Sequence, residues 1–144
     1  MSACTFFGHR DCQATIKPKL KAAIVELIEQ CGVDTFYVGN QGFFDAFVRS
    51  ILKELTKEYP HIRYAVVMAY MPNTNDDFDY RDYSDTMIPE GIERVPRRFA
   101  IDWCNKWMLK RCDYVICYVN YSWGGAAKFA ELAEKQRKTV INLA

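Results

Sequence analysis

Cys4-Thr5-Phe6-Phe7-Gly8-His9-Arg10-Asp11 is a short apolar run that ends on a glycine and passes at once into polar residues. Residues 4–7 suit a buried strand, and over residues 16–30 the apolar positions Leu20, Ala23, Ile24, Leu27 and Ile28 recur at helical spacing. Thr15 is the expected N-cap of that helix and Cys31-Gly32 its expected stop. A turn from strand to helix exposes unpaired backbone N–H groups at the positive end of a helix, a seat for phosphate or carboxylate.

The same unit recurs downstream. Residues 35–38 (Thr-Phe-Tyr-Val) are β-branched and aromatic and end at Gly39, after which Phe44, Phe47, Val48, Ile51, Leu52 and Leu55 line one face of a helix closed by Pro60. Residues 62–70 make a third strand, and residues 71–95, polar and rich in Asp and Tyr, are expected to form a long loop of the kind that often carries function. Residues 97–112 suggest a helix with Trp103 and Trp107 stacked at a four-residue interval, read as core or subunit interface. A strand at 114–119, an amphipathic helix at 125–137 and a short strand at 139–143 complete the order.

Alternation of this kind, with strands this apolar, predicts one α/β domain over residues 1–144: a three-layer α/β/α Rossmann-like domain with a mainly parallel sheet of about five strands and right-handed crossovers. In such open sheets a ligand sits beyond the carboxyl ends of the strands, where the strand order reverses. If the first and fourth strands are neighbours there, the loops at Gly8 and Gly124 face each other.

Composition narrows the partners. Nineteen basic against eighteen acidic residues give a net charge of +1, without the field that holds a protein on long nucleic acid. Six cysteines with no Cys-x-x-Cys pair read as reduced thiols in a cytoplasm. No signal-peptide pattern opens the sequence and no run approaches the roughly 20 apolar residues of a membrane span, so a soluble cytoplasmic protein is expected. Asp76, Asp77, Asp79, Asp82 and Asp85 are interleaved with aromatics and lack the spacing of ordered calcium loops; they are read as a solvated loop, and no metal or cofactor is expected.

Three loops carry the candidate chemistry. Gly8 permits close approach of a ligand to the backbone, His9 donates or accepts, and Arg10 offers a fork of donors for phosphate or carboxylate. Gly39-Asn40-Gln41-Gly42 with Asp45 offers amides and a carboxylate for hydroxyls and ring edges, and is equally ordinary turn and first-turn chemistry. Ser122-Trp123-Gly124-Gly125-Ala126-Ala127-Lys128 is the best phosphate candidate: paired glycines free the N–H groups, and Ser122 and Lys128 add a hydroxyl and a cation. It is neither a Walker A loop nor a G-x-G-x-x-G fingerprint. Glu131, on the same face as Lys128, is either its surface ion-pair partner or a base aimed into the cleft. His61, on the opposite edge, is read as structural.

Phe6-Phe7-Gly8-His9-Arg10, Tyr37-Val38-Gly39-Asn40-Gln41-Gly42 and Asp113-Tyr114-Val115-Ile116 with Gly124-Gly125-Ala126-Ala127-Lys128 resemble the SLOG superfamily, the Rossmann-like group of the LOG, DprA and YpsA-like proteins, over nearly the whole chain. The resemblance is greatest to its short stand-alone bacterial and phage members. It implies a nucleotide or nucleotide-derived ligand, such as the ADP-ribose-type signals sensed in bacterial antiviral defence, and a homo-oligomer. The LOG motif Gly-Gly-x-Gly-Thr-x-x-Glu falls on residues 124–131, which keep the leading glycines and Glu131 but lose the third glycine and the threonine. Asn105-Lys106 stands where those enzymes have Arg-Lys, leaving Arg97 or Arg98 as substitute cations. The expectation is therefore a binding module, with N-glycoside hydrolysis of a nucleoside monophosphate through Glu131 as the alternative.

Overall fold

The structure, a computed structural model, describes residues 2–69 and 85–144. Six strands form one sheet in the order β4-β3-β2-β1-β5-β6, with every adjacent pair parallel. They are β1 (Ser2–Gly8), β2 (Val33–Val38), β3 (Arg63–Val67), β4 (Thr86–Met87), β5 (Tyr114–Tyr118) and β6 (Thr139–Asn142). The helices are α1 (Lys17–Cys31), α2 (Gly42–Glu58), α3 (Ala100–Arg111) and α4 (Gly125–Lys135).

Alternate residues of the strands feed two separate cores. Cys4, Phe6, Phe36, Val38 and Ile116 pack under α1 and α2, while Phe7, Val67, Val115 and Cys117 pack under α3 and α4. Burial on both faces explains why these strands are apolar runs and not alternating ones. The domain is thus the three-layer Rossmann-like α/β fold. Two-residue β4, pairing Thr86 and Met87 with Val66 and Val67, adds a sixth strand inside the stretch expected to be loop.

Helix ends follow local chemistry. Gly32, at φ 68°, ends α1 with its N–H donating to the Leu27 carbonyl. Thr15 does not cap α1: it lies in a 3-10 turn (Ala14–Ile16) that runs into the helix, and Pro18 occupies the first turn, where its missing N–H is no loss. Another 3-10 turn, Arg97–Phe99, leads into α3. Among the described residues no helix is long and apolar enough to cross a membrane. Asp76, Asp77, Asp79 and Asp82 of the acidic cluster lie outside the described residues; Asp85 accepts a hydrogen bond from the Tyr64 hydroxyl at 3.0 Å.

The strand order reverses between β1 and β5, whose pairing runs from Cys4↔Tyr114 to Gly8↔Tyr118. This brings the loop after β1 beside the loop after β5. Phe7 of β1 stacks on Phe129 of α4 with centroids 5.3 Å apart, which anchors α4 across the two strands. On the other face the ring of Phe44, on the first turn of α2, lies against Gly8 so closely that a Cβ there would fall 2.2 Å from it. Gly8→Ala is expected to destabilise the fold by about 1–3 kcal/mol through overpacking. Gly32→Ala, with open space around it, should cost about 1 kcal/mol of left-handed strain, and Phe44→Ala, which removes the Cγ and Cδ2 nearest to a Cβ at Gly8, should cost less in the Gly8→Ala background than in wild type. Urea unfolding of the four variants measures both.

Candidate functional site

A cavity of about 440 Å³ opens at the carboxyl ends of β1, β2 and β5. Phe6, Phe7 and Gly8 of β1 lie at its base, and His9, Arg10 and Asp11 follow on the wall. Gly39, Gln41 and Asp45 line it from the β2–α2 side, and Tyr121, Gly124, Gly125 and Ala126 from the β5–α4 side. Ile101 and Asn105 of α3 complete the lining.

The first two loops are tied together. Arg10 donates from Nη2 to Gln41 Oε1 at 3.1 Å, and the Phe43 N–H donates to the Arg10 carbonyl at 2.9 Å. Gly42, at φ 83°, allows this approach, since a Cβ there would lie 2.6 Å from the Arg10 Cα. Asn40 accepts from the Arg49 guanidinium, so it faces α2 and does not line the cavity.

Asp45 is 7% exposed, one turn into α2. Its Oδ2 accepts the Gln41 N–H at 2.9 Å. Burial pushes its carboxyl up to about 7, although that hydrogen bond and the positive charges of Arg49 and Arg10 pull the other way. A cavity-lining acid thus changes protonation state near neutral pH.

His9 is buried between β1 and the β5 loop. Its backbone N–H donates to the Tyr118 carbonyl at 3.2 Å, and its ring Nε2 accepts the Asn120 backbone N–H at 3.2 Å. Burial lowers its pKa, with Asp11 opposing, so the ring is neutral at pH 7 and carries its proton on Nδ1. That ring lies flat on Tyr121, centroids 3.5 Å apart and 7° between planes, and Tyr121 stacks on Trp123 at 4.3 Å. Tyr121 lines the cavity and was not expected there; Trp123, inside the loop expected to hold phosphate, lies outside the lining.

Gly124 caps α4 at φ 93° with no side-chain hydrogen bond, and the Lys128 N–H donates to its carbonyl at 3.1 Å. By helix geometry the N–H groups of the first turn, from Gly125 on, have no intrahelical acceptor and point out of the helix end at the cavity rim. An added Cβ at Gly124 or Gly125 would meet no atom within 4 Å, so the space above this helix end is open.

With that geometry in place, comparison with known proteins reaches the fold and stops there. No family model matches the chain, and no curated protein matches it. Among solved structures the chain is similar to DNA processing protein A (DprA) from Streptococcus pneumoniae, at a TM-score of 0.70 and 15% identity over 99% of this chain. It spans 50% of that protein. At this identity the likeness concerns the arrangement of helices and strands.

The remaining expected site residues lie outside the cavity lining. Lys128 reaches away to α3, where its Nζ meets Asp102 Oδ1 at 2.6 Å; Lys106 holds the other oxygen at 3.2 Å, and these lysines keep the Asp102 carboxyl below its usual value. Glu131 neither pairs with Lys128 nor enters the cleft: its side chain is 68% exposed and bonds Lys135 at 3.3 Å. Arg98 is exposed with its guanidinium over the Phe99 ring, and Ser122 is exposed on the loop. Trp103 and Trp107, partly buried, pack on the α3-side core, Trp107 edge-on to Tyr37 at 5.5 Å, which is the core half of the expectation of core or subunit interface. Cys117 is pushed up to about 11 by burial and packs as a small hydrophobe.

The raised carboxyl of Asp45 has a consequence for stability. A folded-state pKa near 7 against 3.8 in the open chain means that the folded state binds the proton more tightly, so stability is greatest below pH 4 on this account and is lost as pH rises to 7. Asp45→Asn removes that loss. In urea unfolding the variant should gain on wild type progressively from pH 4 to pH 8, by on the order of 2–4 kcal/mol at the upper end. A constant difference across that range contradicts the assignment.

Proposed function

We propose that this chain is a SLOG-type domain that binds a nucleotide or nucleotide-derived ligand, of which ADP-ribose-type signals are one class, and acts by capture. The observation that carries the reading is the cavity itself: one space at the strand-order reversal bounded by the Arg10 loop, the buried carboxyl of Asp45 and the open first turn of α4. A helix N-terminus and a guanidinium suit phosphate, and Asp45 with Gln41 suits sugar hydroxyls. The cavity volume, about 440 Å³, is of the size that takes a small organic ligand. The fold likeness to DNA processing protein A supports the superfamily part of the proposal.

A DNA substrate, which the neighbour's name brings to mind, finds no support in a chain of net charge +1. Capture stands ahead of N-glycoside hydrolysis because Glu131, the acid that reaction was expected to use, is paired with Lys135 on the outer surface. Asn105, in place of the arginine that the resemblance implies, lines the cavity without a charge.

Thermal melts with AMP, ADP-ribose and NAD test the reading. A ligand at 100 times its dissociation constant should add about 2.7 kcal/mol of stability. Arg10→Ala should weaken binding at least about tenfold, the loss of one charge-assisted contact to phosphate, and Glu131→Gln should leave it unchanged. Release of free base by wild type, abolished in Glu131→Gln, would replace capture with hydrolysis. No shift with any of the three would remove the nucleotide reading.

A further inference from the structure

The β5–α4 loop builds a ladder of three rings that starts inside the cavity and ends in water. His9 is 4% exposed, Tyr121 covers one of its faces at 3.5 Å, and Trp123 covers the far face of Tyr121 at 4.3 Å. Trp123 is 69% exposed, and among the described residues Tyr121 is the aromatic partner it has. A tryptophan that presents two-thirds of its surface to solvent is not there to fill a core. Its neighbours on the chain are Ser122 and Gly124, so the indole stands one residue from the N-cap of α4.

We infer that the outer face of Trp123 is a stacking subsite for the heteroaromatic base of the captured nucleotide. This rests on the nucleotide reading and deepens it: the cavity takes the phosphate and sugar, and the base lies on the rim. Both faces of Tyr121 are occupied, so a base cannot stack on the ladder inside the cavity without breaking it. The free face is on Trp123. A base placed there leaves its sugar and phosphate beside the first turn of α4, where Gly124 and Gly125 leave the space open. Stacking of this kind accepts any base with a π-face, and an indole supported from behind by two further rings is already oriented for it. Phe43, another exposed aromatic at 62%, lies outside the cavity lining as Trp123 does, but it stacks on Phe47 of its own helix and not on a ring that reaches the cavity.

The test compares two probes that share a phosphate and a sugar and differ by the base. AMP and ribose 5-phosphate are titrated by calorimetry into wild type, Trp123→Ala and Trp123→Tyr. The expected result is that Trp123→Ala weakens AMP by about tenfold or more, the scale of one lost base–aromatic stack. Ribose 5-phosphate should bind all three alike, and Trp123→Tyr should restore most of the AMP affinity. AMP should also quench tryptophan emission in wild type and fail to do so in Trp123→Tyr, where Trp103 and Trp107, packed against the α3-side core, remain. Equal weakening of both probes by Trp123→Ala, or no weakening of either, overturns the stacking subsite and leaves capture in the cavity standing. Failure of wild type to bind AMP, with ribose 5-phosphate bound, overturns the subsite, and failure to bind either overturns the nucleotide reading with it.

Discussion

The ring of Phe44 seated on the bare Cα of Gly8 is the contact on which the site depends. Phe44 is wholly buried, and any side chain at Gly8 would drive it off. Because Phe44 belongs to the first turn of α2, this approach sets the height of that helix against the end of β1. Asp45 and Gln41 are then held at the cavity wall, and Gly42 is brought within touching distance of the Arg10 backbone. Two glycines on separate loops thus do one job. Each removes a side chain where a helix start and a strand end would otherwise be kept apart, and the Phe43 N–H to Arg10 carbonyl hydrogen bond closes the gap.

The charge arrangement follows from that placement. Arg10 is held toward Gln41, whose own N–H is taken by Asp45, while Arg49 on the next turn engages Asn40. Asp45 has two guanidinium groups near it and still titrates near 7, so desolvation outweighs attraction at this position. His9 is driven the other way by the same cause and stays neutral. The cavity therefore carries one fixed cation, one helix end and two acids, Asp11 and Asp45, of which Asp45 gives up its charge easily. On the proposed reading, an incoming phosphate would meet little fixed negative charge from the β2 side once Asp45 is protonated.

The fold was legible in the sequence because strands buried on both faces are written as unbroken apolar runs, and Gly8, Gly32 and Gly39 mark where they or their helices end. β4 was not legible. Its two residues lie in a polar stretch and owe their strand character to the open edge of β3, which no local pattern encodes. Within the site, glycines and Arg10 announced themselves by position after a strand. Tyr121 and Ile101 did not, because their membership depends on how β5 and α3 are set against β1, and Asn105 was marked only by the resemblance, as the residue in the arginine's place. Lys128 misled for a physical reason: one turn into α4 the side chain has rotated off the helix end toward Asp102 of α3. Glu131, three residues on, then finds Lys135 along its own helix, a pairing as compatible with the spacing as the one with Lys128.

The two sides of the strand reversal are built to different standards of rigidity. On the β2 side the close contacts of Gly8, Gly39 and Gly42 leave no slack: a Cβ at Gly39 would stand 2.9 Å from the Asp45 carboxylate. On the β5 side Gly124 and Gly125 have nothing within 4 Å, Ser122 and Trp123 are exposed, and order comes from the ring stack on His9. On the proposed reading, the fixed wall that positions Arg10 and Asp45 stands opposite an open wall of backbone amides and aromatic faces, an arrangement suited to a flat, polar, anionic molecule. The fixed side would set where its sugar and charge lie. The open side would leave room for differences in its size, so that one scaffold of this shape could serve nucleotide derivatives of unequal length.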